Sequence, residues 1–149
     1  MKRPAFALAL APGVLLCSCL ASAVDLPQQK PGLWEMRMQG HFDDKDGGRS
    51  GTSRHCMDAH TLAEVKRTSD DFSKKNCSKS ETRREGDKWI FDMVCKVGAS
   101  TMIGHNVTEM NGDTAFHTEN TTRFEPAVAG RSQSTTVIDG KWLGACTAE

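Results

Sequence analysis

Histidines are the residues in this chain best suited to metal binding or proton transfer, because imidazole does both. His105 and His117 flank a turn predicted at Asn111-Gly112, and Glu119 lies on the same strand face as His117. Two imidazoles and a carboxylate could together hold a divalent metal ion. Strand alternation favours a simpler interpretation, in which these are exposed residues on a polar face and no metal is bound.

Methionines are a second set of candidate ligands. Thioether sulfurs close to Trp or His can bind Cu(I) outside the cytoplasm. Met36, Met38 and Met93, however, occupy alternating strand positions beside tryptophan and phenylalanine. Methionine readily fills gaps in a core that is poor in leucine and isoleucine. The pattern therefore favours packing, and we expect no cofactor.

The residue patterns of common enzyme active sites are missing from the sequence. It contains no Gly-x-Ser-x-Gly, His-Glu-x-x-His, P-loop or glycine-rich dinucleotide-binding motif. Glu35 is next to Trp34, but alternation places it on the opposite, solvent-facing side of a strand. A nucleophile would also need a base and an orienting group. We expect a non-enzymatic protein.

The first 23 residues have the features of a secretory signal peptide. Lys2 and Arg3 precede an apolar stretch over residues 5–20, and Ala21-Ser22-Ala23 provides a cleavage signal. Cleavage would leave a mature protein with no transmembrane span, in the oxidising periplasm. The alternative is a lipoprotein anchored at Cys19, because residues 16–19 (LCSC) are similar to a lipobox.

Composition describes one small disulfide-stabilised domain. We expect a lead-in over residues 24–31 and a single all-β domain over residues 32–149. Residues 24–149 contain 17 basic and 19 acidic residues, and the chain has no tyrosine. This balance argues against a nucleic-acid partner. A modest apolar content together with four cysteines predicts a small core stapled by disulfides.

The four cysteines after the leader allow three pairings. Cys77 and Cys95 both lie nine residues from Gly86, at the centre of a predicted turn. A three-residue hairpin loop would place them directly opposite each other, close to disulfide distance. Cys56 and Cys146 then pair by elimination. The spacings match no zinc motif, so we expect structural disulfides.

The remaining pattern predicts a sheet with one helix. Short strands alternate with turns centred near Gly86, Gly98, Asn111-Gly112, residues 126–130 and Asp139-Gly140. One helix is predicted from Asp58 to about Arg67. Thr61 is its expected cap, and Leu62 and Val65 are expected to face a core. Residues 68–76 are predicted to be a loop anchored by Phe72.

We therefore expect a curved antiparallel meander or partly open barrel of seven or eight strands. Its concave face should be rich in Trp, Phe and Met. Seven residues are candidates to line an apolar ligand site on this face: Trp34, Met36, Met38, Trp89, Phe91, Met93 and Trp142. The leading hypothesis is a protein that binds an apolar small molecule or lipid. The alternatives are a His/Met metal-binding module and a module that docks on an envelope protein.

The order of motifs adds a family resemblance. Residues 30–36 (KPGLWEM) open the domain, four cysteines follow, and residues 140–146 (GKWLGAC) close it. This order resembles the bacterial exported family known as domain of unknown function 3617. The resemblance implies a periplasmic protein of mainly antiparallel β-structure, and it implies no activity.

Overall fold

Alternating residues build one antiparallel sheet, to which a single long helix is added. The computed structural model describes residues 27–43 and 48–146. The predicted leader, including Cys19, and residues 44–47 and 147–149 lie outside the described residues. The elements are β1 (Gly32–Phe42), β2 (Arg49–Met57), α1 (Ala59–Asn76), β3 (Cys77–Glu85), β4 (Lys88–Val97), β5 (Ser100–Asn111), β6 (Ala115–Val128) and β7 (Arg131–Gly144).

The seven strands form one open sheet in the order β2-β1-β7-β6-β5-β4-β3. Every neighbouring pair is antiparallel. Strands β3 to β7 follow one another as a meander, and the first hairpin then joins the sheet through the pairing of β1 with β7. The predicted antiparallel, disulfide-stapled sheet of seven or eight strands with one helix is confirmed, with seven strands.

Helix α1 joins the two edge strands, β2 and β3. Its 18 residues make it about 27 Å long. Six intervals between seven strands make the sheet about 29 Å wide. The helix is therefore nearly as long as the sheet is wide, and it contacts β2, β3 and β4.

The predicted start of the helix is correct to within one residue, but its cap residue and its C-terminal end are wrong. Asp58, not Thr61, is the N-cap, and its Oδ1 accepts a hydrogen bond of 2.7 Å from the Thr61 backbone N–H. The helix continues to Asn76 through the segment predicted as a loop. Ion pairs between Lys66 and Asp70 and between Arg67 and Asp71 support this polar half of the helix. Such pairs stabilise a helix without apolar periodicity.

One predicted turn is also wrong. Asp139-Gly140 lies inside β7, where Gly140 pairs with Met36 on one side and with Phe116 on the other. A Cβ atom at Gly140 would overlap the Phe116 ring. The glycine is therefore explained by close packing of an aromatic ring on the sheet, and not by a change of chain direction.

Both predicted disulfides are present, Cys56–Cys146 and Cys77–Cys95. The second is reached by a register different from the expected one. Glu85 pairs with Lys88, so the hairpin loop has two residues and not three. A β-bulge between Cys77 and Lys79 then shifts the pairing by one residue and brings Cys77 opposite Cys95.

The core is small and is centred on Trp34. This residue is fully buried, and its ring lies 5.6 Å from that of Phe116, measured between centroids. Its indole N–H donates a 2.8 Å hydrogen bond to the Lys30 carbonyl. Trp142 donates a similar bond of 3.1 Å to the Pro31 carbonyl. The two indoles thereby fasten the lead-in to the sheet.

Among the described residues, no helix is both long enough and apolar enough to cross a bilayer.

Candidate functional site

A cavity of about 760 Å³ lies between α1 and strands β3, β4 and β5. We call it the strap cavity, because α1 passes over the sheet like a strap. Its lining residues are Pro27, Leu62, Val65, Lys66, Ser69, Asp70, Ser73, Lys74, Cys77, Ser80, Thr82, Trp89, Phe91, Asn106 and Thr108.

The apolar part of the lining comes from both sides. Trp89 and Phe91 project from β4, and Leu62 and Val65 project from the first half of α1. No residue of α1 is buried, and Val65 is 55% exposed. The prediction that Leu62 and Val65 face a packed core is therefore wrong. These side chains border an open space, and Phe72, the predicted loop anchor, is also exposed.

The disulfides explain how a helix with so little packing stays over the sheet. Cys56 lies two residues before the N-cap Asp58 and is bonded to Cys146. Cys77 directly follows the helix and is bonded to Cys95 in β4. Covalent bonds next to both ends thus do the work that a buried apolar face does in most amphipathic helices. The space beneath the helix can therefore remain open.

The polar part of the lining carries a small excess of positive charge. Lys66 forms an ion pair with Asp70, and a hydrogen bond from Lys66 lowers the pKa of the Asp70 carboxyl. Lys74 is the second lysine in the lining. On the sheet side, Thr108 donates a 3.1 Å hydrogen bond to the Asn106 side-chain oxygen. Both residues are uncharged, so the charge of the cavity comes from the helix.

Charge is segregated between the two faces of the sheet. We call the face that carries Trp34, Trp89 and Phe91 the inner face and the opposite face the outer face. The strand register shows on which of the two faces each remaining strand residue lies. All acidic residues of the seven described strands fall on the outer face: Glu35, Glu81, Glu85, Asp92, Glu109, Glu119, Glu125 and Asp139. The inner face of these strands therefore bears no carboxylate.

The outer face is organised as cross-strand charge pairs. One row crosses six strands with alternating polarity, through Arg37, Asp139, His117, Glu109, Lys88 and Glu85. His117 Nδ1 lies 2.7 Å from Asp139 Oδ1, and this hydrogen bond raises the pKa of His117. Neighbouring opposite charges of this kind stabilise a sheet whose outer face is in water.

His105 and His117 do not form a metal site together. His105 pairs across the strands with Thr121 and lies 2.7 Å from Asp92, whereas His117 pairs with Glu109. The two imidazoles are thus bonded to different carboxylates. Among the residues that the structure describes, no group of three or more His, Cys, Asp or Glu could hold a metal ion.

Glu35, the carboxylate next to Trp34, lies on the outer face as the alternation indicates. Arg54 donates two hydrogen bonds to Glu35 Oε2, at 2.9 and 3.1 Å, and Arg37 donates one of 3.3 Å to Oε1. The bonds from Arg54 lower the pKa of Glu35. This carboxylate is a member of a surface ion-pair network.

Register places all seven predicted ligand-lining residues on the inner face. The cavity brings together only two of them, Trp89 and Phe91. The other five lie outside its lining: Trp34, Met36, Met38, Met93 and Trp142. Trp34 is in the core, and the Met93 side chain packs over Gly104. Strand alternation can identify a face, but it cannot tell which part of that face the helix leaves open.

The sequence did not indicate the contributions of the α1 lysines and of β5 to the cavity. Lys66 and Lys74 are eight residues apart, a spacing that places them on one side of a helix. That signal was readable only if the helix was known to extend to Asn76. Asn106 and Thr108 lie two residues apart on β5, next to Phe91 and Trp89 on β4. Their relation depends on register, which the sequence does not display.

Together these features define a class of protein: an open antiparallel sheet crossed by a disulfide-tethered helix, with a cavity between the two. The chain belongs to the family described as Protein of unknown function (DUF3617), whose model matches residues 29–146. The predicted membership of this family is thereby confirmed. A search of curated proteins finds no match.

Proposed function

We propose that this chain is a non-enzymatic, exported periplasmic protein that binds an apolar small molecule or lipid chain in the strap cavity. One observation carries the proposal. The cavity has apolar residues on both its helix side and its sheet side, yet no side chain of α1 is buried against the sheet. Covering such water-exposed apolar surface with another apolar group lowers the free energy of the system.

The size and composition of the cavity support this function. A volume of about 760 Å³ falls within the range of about 300–1,000 Å³ that is typical of small-molecule sites. Such sites are mostly apolar and contain a few polar groups that orient the ligand. Trp89 and Phe91 match the first requirement, and Asn106 and Thr108 match the second.

Export is supported by the leader and by the cysteines. The signal-peptide features at residues 1–23 predict secretion. Two disulfides are compatible with an oxidising compartment, in which they form and persist. The periplasm satisfies both conditions.

The test is a titration with the neutral fluorophore N-phenyl-1-naphthylamine, whose emission rises in apolar surroundings. We expect saturable binding that Val65→Gln weakens by roughly three- to tenfold, because a contact of about one apolar side chain is lost. Val97→Gln is the matched control. Val97 is also exposed, at 40%, but it does not line the cavity. No saturable binding, or equal effects of the two substitutions, would refute the proposal.

A further inference from the structure

The charge distribution around the strap cavity limits what its ligand can be. The inner face of the described strands carries no carboxylate, and the sheet residues in the lining are uncharged. The ionisable groups in the lining all belong to α1: Lys66, Asp70 and Lys74. A cationic ligand would meet two lysines and one carboxylate that is already paired, so it would be disfavoured.

The two lysines differ in their availability. Lys66 is bonded to Asp70, and this pair is close to neutral as a unit. Lys74 forms no ion pair within the part of the chain that the structure describes, although its charge helps to lower the pKa of Asp70. It therefore provides the uncompensated positive charge of the lining. Lys74 also lies in the last turn of α1, next to the disulfide-bonded Cys77.

A further cation extends the positive region on the sheet side. The Arg84 guanidinium lies over the Trp89 ring, 4.6 Å from its centroid. Arg84 pairs with Trp89 across β3 and β4, so it also belongs to the inner face. An apolar floor is thus bordered by positive charge on the strand as well as on the helix.

We infer that the ligand is an amphiphile with an anionic head group, and this inference rests on the proposed function. Its chain lies over Trp89 and Phe91, beneath Leu62 and Val65, and its head group is held by Lys74. Hydroxyl groups in the lining, such as Ser73 and Ser80, are available to hydrogen-bond the head group. An apolar chain in contact with aromatic rings and an anion in contact with a lysine are both favourable.

The experiment compares two competitors that have the same chain length and opposite charge. Dodecanoate and dodecyltrimethylammonium, each below its critical micelle concentration, are titrated against N-phenyl-1-naphthylamine bound to the full mature protein. We expect dodecanoate to displace the probe at a concentration at least tenfold lower. Adding salt should narrow this difference, since exposed charges are screened.

Two variants locate the effect. Lys74→Gln should weaken dodecanoate binding by roughly two- to fivefold more than it weakens binding of the neutral probe, the range of an exposed ion pair. Lys75→Gln is the control, because it removes the same charge from the neighbouring residue, which is not in the lining. It should leave the ratio of the two affinities unchanged.

The outcomes separate the inference from the function on which it rests. If the neutral probe binds but both competitors displace it equally, or if the two lysine variants behave alike, the anionic head group is wrong and the apolar site stands. If the probe itself does not bind to the wild-type protein, the proposed function fails. Preferential displacement by dodecanoate that depends on Lys74 supports both.

Discussion

Removal of the Cys56–Cys146 disulfide should destabilise the protein strongly. The bond joins residues separated by 90 positions. In the chain-entropy model, a loop of this size corresponds to about 4.6 kcal/mol at 25 °C. Cys56 is exposed and Cys146 is half-buried, so replacing both with alanine removes little packing. Almost all of the predicted loss of stability therefore comes from the higher conformational entropy of the denatured chain without the cross-link.

Urea unfolding without reductant measures this loss for Cys56→Ala combined with Cys146→Ala. With a slope of about 1.5 kcal/mol per M, the midpoint should fall by roughly 3 M. Because the stability of a small domain is only about 5–15 kcal/mol, the variant should be marginally folded. Reduction of the wild-type protein should lower the midpoint further, since it also opens Cys77–Cys95.

The same variant tests whether the disulfides hold α1 over the sheet. Loss of the bond releases the anchor that lies two residues before the helix N-cap. Amide hydrogens of α1 should then exchange faster than they do in the wild-type protein, and faster than those of β5 and β6, under conditions where the sheet is still folded. A loss of stability below about 1 kcal/mol, or unchanged protection of α1, would refute the reasoning that covalent bonds replace packing here.

Two further predictions concern the sheet. Gly140→Ala should destabilise the protein by about 1–3 kcal/mol in urea unfolding, because the new Cβ overlaps the Phe116 ring. Gly51→Ala is the control, because a Cβ at Gly51 would have no atom within 4 Å. Equal losses of stability in the two variants would contradict the packing argument. The hydrogen bond to Asp139 raises the pKa of His117 above 6.5, so its contribution to stability is complete below about pH 6.5 and is lost as pH rises through the raised pKa. Titration by NMR should show this raised pKa, Asp139→Asn should lower it, and an unchanged pKa in that variant would disprove the pairing.

The sheet could be predicted from the sequence because strand alternation and turn glycines are local signals. The Cys77–Cys95 pairing shows the limit of this reasoning. Symmetry about Gly86 identified the correct partners, but the expected three-residue loop is a two-residue loop compensated by a β-bulge. A bulge next to Cys77 has no signature in the residue types. The pairing was therefore predictable, whereas the path by which it is reached was not.

The helix and its cavity were harder to predict because their signals are not hydrophobic. The second half of α1 is stabilised by ion pairs such as Lys66–Asp70. A prediction based on apolar periodicity therefore places the end of the helix about nine residues too early. Trp89 and Phe91 were identifiable as inner-face residues. The sequence did not show that Trp89 and Phe91 line the cavity while Trp34 lies in the core, because this difference depends on where the tethered helix crosses the sheet.

The most direct test of the central claim uses the three tryptophan indole N–H signals in NMR spectra, assigned by Trp→Phe substitution. Trp89 lines the strap cavity, and Trp34 and Trp142 lie outside its lining. The indole N–H groups of Trp34 and Trp142 donate to the carbonyls of Lys30 and Pro31. Titration with N-phenyl-1-naphthylamine should shift the Trp89 signal progressively and saturably, and leave the other two nearly unchanged. A Trp89 signal that does not move at saturating probe, or shifts confined to Trp34 and Trp142, would contradict an apolar ligand site beneath α1.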